Sequence, residues 1–184
     1  MDERCDTKKA SAASFASPSR RSMPIFVLMI KAELENVGKF WASEEHVWEL
    51  DVQQSAGAEI RQGVQIDPDE QVEIPNSNNA TANFLLKWPG DRNQSYAKVV
   101  KLPTLRPQTA DDTAMVPFAA FECRGMEPVR WIPTGPYCVE SPAGVLYEEV
   151  GFRDNEDWCE YDDKSGESMM INKDIEHKFV LHRG

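Results

Sequence analysis

PIFVLMIKAEL (Pro24–Leu34) decides the fold. It opens with apolar residues in unbroken succession. It then alternates Ile30, Ala32 and Leu34 against Lys31, Glu33 and Glu35. A period of two places one face of a β-strand on a core and the other in water. The same reading extends outward. Trp48, Leu50 and Val52 alternate with Glu49, Asp51 and Gln53. Ala82, Phe84, Leu86 and Trp88 form another apolar row, and the loop PGDRNQ (Pro89–Gln94) leads from it to YAKVVKL (Tyr96–Leu102). Two runs joined by a short Pro-Gly loop predict a hairpin. Near the end, His177, Phe179 and Leu181 alternate with Lys178, Val180 and His182. No stretch carries a sustained helical stripe, and prolines from Pro68 to Pro142 punctuate short elements. The expected fold class is all-β.

The chain has 184 residues, 41% apolar and 28% charged, enough for one domain or two small ones. Its net charge of −11 argues against nucleic acid, whose binding needs many Lys and Arg contacts to phosphate, and against an anionic membrane surface. The longest apolar run, IFVLMI (Ile25–Ile30), is too short to span a bilayer or to serve as a signal peptide. The four cysteines, Cys5, Cys123, Cys138 and Cys159, form no C-x-x-C pair and no disulfide framework, which predicts a reducing, cytoplasmic compartment. Residues 1–23 are rich in Ser, Ala and charge and read as a disordered extension. A mitochondrial presequence is the alternative, opposed by Asp2, Glu3 and Asp6.

Three stretches carry a family resemblance: FECRGMEPV (Phe121–Val129), LENV (Leu34–Val37) and DWCEYDDKSGES (Asp157–Ser168). Together they resemble the eukaryotic CXXC-motif-containing zinc-binding proteins. The resemblance runs from about residue 24 to residue 182. It implies two β-barrel-like halves packed together, here residues 24–110 and 111–184, and two C-x-x-C pairs closing on one zinc ion. The positions matching those ligands hold Gln54, Gly57, Lys87 and Gly90. The resemblance therefore implies a zinc-binding fold that has lost its zinc, with no cofactor expected. Pro89-Gly90 fits a type II turn and Ser55-Ala56-Gly57 a small turn, so local backbone chemistry can replace the metal. The other nearby ligand types, His46, Glu44, Glu45 and Asp91, make a poor zinc set.

The remaining motifs read as follows. LENVGKFW (Leu34–Trp41) echoes MEPVRW (Met126–Trp131), suggesting two similar halves. In FECRGMEPV, Phe121 and Cys123 alternate as core residues, Gly125 permits a bend and Glu127-Pro128 starts a turn. DNEDWCEYDD (Asp154–Asp163) lacks the Gly and terminal Glu of a calcium loop and reads as a solvated acidic loop anchored by aromatics. No catalytic motif is present, and a Cys159–His177 dyad has no geometric warrant. The expected function is a non-catalytic protein-interaction module or complex subunit. Its candidate surface comprises Arg124, Glu127, Arg130, Trp131, Trp158 and Tyr161. The alternative is a metal-handling or redox protein using Cys123, Cys138 and Cys159, and an enzyme is third.

Overall fold

A computed structural model describes residues 23–182 of the chain. The expectations for the N-terminal extension and for Cys5 lie outside the described residues. From Ile25 onward, strands follow one another in quick succession. They begin with β1 (Ile25–Lys31), β2 (Leu34–Glu35), β3 (Lys39–Trp41), β4 (Trp48–Gln54) and β5 (Ile60–Ile66). Next come β6 (Val72–Glu73), β7 (Thr81–Ala82), β8 (Phe84–Leu86), β9 (Ser95–Val100) and β10 (Gln108–Thr109). Then β11 (Val116–Arg124), β12 (Met126–Ile132), β13 (Tyr137–Glu140) and β14 (Leu146–Val150). A 3-10 turn (Arg153–Asn155) precedes β15 (Trp158–Asp162), β16 (Glu167–Ile171) and β17 (Glu176–His182). The fold is all-β, built from antiparallel sheets.

The largest sheet has the order β17-β1-β11-β9-β8. The expected hairpin is β8–β9, with Leu86 opposite Ser95. Smaller sheets are β10-β3-β13-β14, β12-β4-β5, β15-β16-β2 and the pair β6-β7. All but the last draw strands from both sides of residue 110. The expected halves 24–110 and 111–184 are thus interleaved by strand pairing. LENVGKFW and MEPVRW are also not equivalent. The first breaks into β2 and β3 at Asn36, which has φ +53°, and the second runs unbroken through β12.

Two prolines sit inside strands, and each stands beside a bulge. Pro117 on β11 pairs with Met29 where the register slips past Phe118. Pro128 on β12 pairs with Val52 where it slips past Val129. A residue without an N–H fits a ladder at such an irregularity or on an edge strand. Glu127-Pro128 therefore lies within an edge strand rather than starting the expected turn. The bend comes earlier, at Gly125, with φ +72°.

The sheets enclose one aromatic core. Phe40 stacks on Phe118 at 5.4 Å and meets Tyr137 edge-on at 5.3 Å. Trp131 packs edge-on against Tyr137 at 6.0 Å, and Trp48 against Phe121 at 5.5 Å. Such offset and edge contacts add to the area these rings bury.

Candidate functional site at the two loops

The two windows matched to metal-ligand pairs meet in space. Gln54 ends β4, and its side-chain Nε2 donates to Asp91 Oδ2 at 3.0 Å. The Gln54 loop closes on itself: Gln54 N–H donates to the Glu59 carbonyl at 2.9 Å, and Gly57 N–H to the Gln54 carbonyl at 3.2 Å. Ser55 N–H reaches across to the Gly125 carbonyl at 3.2 Å, tying this loop to FECRGMEPV. In the second window, Asp91 N–H donates to the Trp88 carbonyl at 3.2 Å and Gly90 takes φ +83°. These are the hydrogen bond and third-position dihedral of a type II turn, with Pro89 in second place. Trp88 is fully buried in the core, whereas Lys87, Pro89 and Gly90 are exposed.

Nothing stands within 4 Å of a Cβ built on Gly90, so space does not demand glycine there; the backbone does. Gly90→Val accordingly costs only left-handed strain, about 1–3 kcal/mol. Urea melts of the variant against the parent measure it, and a neutral result removes the turn from the account.

The donor set does not suit zinc. Tetrahedral zinc sites take thiolate, imidazole or carboxylate ligands. These positions offer an amide, an ammonium and two glycines. The neighbouring Asp91 carboxylate accepts from Gln54. Glu44 instead pairs with Lys101 at 2.7 Å. His46 is buried, its Nδ1 donating to the Pro136 carbonyl at 2.9 Å. Among the described residues no cluster of three or more His, Cys, Asp or Glu is placed to hold a metal ion.

The cysteines are dispersed. Cys123, Cys138 and Cys159 lie on β11, β13 and β15, in three different sheets. Burial, helped by Glu122 and Glu127, pushes the Cys123 thiol up to about 12, which leaves it protonated and unreactive. Burial also raises Cys138. His177 Nδ1 donates to the Ile175 carbonyl at 3.1 Å while its Nε2 accepts the Trp131 N–H at 3.2 Å. Both ring nitrogens are thus engaged, and neither meets Cys159.

Over residues 27–180 the chain matches the model of the eukaryotic CXXC motif containing zinc binding proteins. The chain belongs to this family. A Drosophila melanogaster member, UPF0587 protein CG4646, is 34% identical over 148 residues, which cover 78% of this chain and 90% of that protein. The Bos taurus CXXC motif containing zinc binding protein is 24% identical over 155 residues, covering 83% of this chain and 96% of its own. A solved structure of a hypothetical protein from Plasmodium falciparum superimposes with a TM-score of 0.76 at 30% identity, covering 86% of this chain and all of its own. The family's namesake motif has no counterpart among this chain's four cysteines.

The six expected surface residues do not form one patch. Arg124, Glu127 and Arg130 are exposed where β11 passes into β12, but Trp131 is buried. The correction has a geometric cause. The bulge at Val129 leaves two adjacent residues, Val129 and Arg130, facing solvent, and this shifts the alternation so that Trp131 turns inward. Arg130 Nε pairs with Asp51 Oδ2 at 2.8 Å. Asp51, expected on the solvent face of β4, is buried and also accepts the Gly63 N–H at 2.9 Å. Trp158 and Tyr161 stand apart on β15. Sequence reading missed Asp51 because its partners come from β5 and β12.

Proposed function

We propose that this chain is a metal-free family member acting as a non-catalytic protein-binding module, which docks a basic partner on β14 and β15. The replaced donor set, with Gln54 closed on Asp91, supports the metal-free half of the reading. The interaction half is carried by one observation. Two sheet-edge strands, β14 and β15, are joined by the Tyr147–Trp158 ring contact at 6.0 Å within a field of carboxylates. Tyr161 and Leu146 are more than half exposed there, and Glu148, Glu149, Glu156, Asp157 and Glu160 face solvent. Of these, Glu160 acts on the rings: desolvation first, then Asp162, Glu160 and Asp163, hold the Tyr147 phenol above its ordinary range. Edge strands offer unpaired backbone to a partner, aromatics anchor it, and charge selects it. The free thiols of Cys123, Cys138 and Cys159 suit a reducing, cytoplasmic setting.

The test uses full-length protein purified without chelator. Elemental analysis should find zinc well below stoichiometric, and stoichiometric zinc overturns the metal-free half. Affinity purification from native extract should recover a basic partner that is lost on combining Glu160→Lys with Tyr161→Ala and kept by Lys101→Gln. A partner indifferent to the double variant, or no partner at all, overturns the interaction half.

A further inference from the structure

Beside the two loops lies a cavity of about 350 Å³ whose lining is cationic in an otherwise acidic protein. Lys87 and Arg92 line it from the two sides of the β8–β9 loop and Arg124 from the end of β11. Asn76, Asn93 and Gln94 add side-chain amides, and no carboxylate belongs to the lining. Arg124 stands opposite Tyr96 in the β9–β11 register, which holds the cation at the cavity wall.

No carboxylate pairs directly with these cations among the described residues. The ion pairs among the described residues join Lys39 to Glu140, Lys101 to Glu44, Arg106 to Asp112 and Arg130 to Asp51. None involves Lys87, Arg92 or Arg124. With 31 acidic residues against 20 basic ones, a cation here would ordinarily have a carboxylate beside it. The acid of the second loop, Asp91, borders an adjoining cavity that Arg92 and Arg124 also line, and its Oδ2 is engaged by Gln54. Three like charges gathered on one concave wall repel one another, and an anion between them relieves that repulsion.

We propose that this cavity binds a small phosphorylated molecule, its phosphate seated among Lys87, Arg92 and Arg124. Two guanidinium forks and an ammonium approach from two segments, the β8–β9 loop and the end of β11, which matches the several oxygens of a tetrahedral dianion. The amides supply further donors, and the wall at Ile74 and Pro75 leaves room for an apolar or sugar-sized body beyond the phosphate. The site is distinct from the acidic β14–β15 face and stands or falls separately from the docking reading.

Titration calorimetry of the full chain with inorganic pyrophosphate, with citrate as a carboxylate trianion, tests this. Pyrophosphate should bind saturably and citrate about tenfold more weakly or worse, because only the tetrahedral groups fill the forks. Arg92→Gln and Arg124→Gln should each weaken pyrophosphate by about tenfold or more, the usual cost of losing a hydrogen bond to a charged group. Lys101→Gln, remote from the cavity and paired with Glu44, should leave the affinity unchanged. Both arginine positions are exposed, so the variants should melt with the parent. Absence of saturable binding, equal binding of citrate, or affinity indifferent to both arginine variants overturns the proposal.

Discussion

Trp88→Ala lowers the unfolding free energy by about 3–5 kcal/mol, the range for truncating a fully buried aromatic side chain. Trp88 is wholly inaccessible and belongs to the main core, although it immediately precedes the exposed Pro89-Gly90 turn. It therefore roots the second loop in the interior, the task a metal centre performs by coordination. Trp88→Phe should cost less than half as much. It keeps most of the apolar area and removes an indole N–H that has no acceptor in its buried position. Urea denaturation of both variants gives the comparison. A cost below about 1 kcal/mol for Trp88→Ala, typical of exposed positions, would show that the loop is anchored elsewhere.

Acidification through pH 6.5 to 4 removes about 3 kcal/mol of stability through His46 alone. Its ring is packed between Trp48 and Tyr137, with centroids 4.5 and 4.6 Å away. Burial pushes its pKa down to about 4, and the hydrogen bond to Pro136 offsets this only in part. In the unfolded chain the imidazole titrates near 6.5. Above that pH both states are neutral and the contribution is complete. Between the two values only the unfolded state takes up the proton, so stability falls by about 1.4 kcal/mol per unit as pH drops. Below about 4 the loss levels off. Asp112, held well below the ordinary carboxylate range chiefly by its hydrogen bonds from Arg106, is lost only at lower pH. Chemical melts of the parent and of His46→Gln at pH 7, 5.5 and 4.5 isolate the effect. Parallel pH profiles would show that the imidazole is not protected.

Much of the fold was legible where one face of a strand is wet. Trp48, Leu50 and Val52 are buried as their spacing predicts, and the β8–β9 hairpin follows from its Pro-Gly loop. Central strands are less readable. In β11 the run from Phe118 to Phe121 is buried throughout, so alternation says nothing about which neighbours it takes. β5 is largely exposed, and its buried row is only Val64 and Ile66, too short to announce a strand. Of the candidate site, the turn at Pro89-Gly90 was readable from two residue types. The cavity was not, because its three cations are brought together by strand pairing across some forty residues. Trp131 shows the sharpest limit. A single bulge reverses the facing of every residue beyond it, and no local pattern announces the bulge.

The first long strand of the body, β1, is flanked by β11 and by β17. Ile25 sits opposite both Glu122 and His182, so its two neighbours are made long after it. During synthesis β1 leaves the ribosome as an apolar ribbon with both backbone edges open. β11 covers one edge only after about ninety more residues have been translated, and the other waits for β17, about sixty residues later still. The order of manufacture and the order of assembly are thus opposed. Until β17 has been made, the longest apolar run of this sequence is a nascent segment in need of shelter.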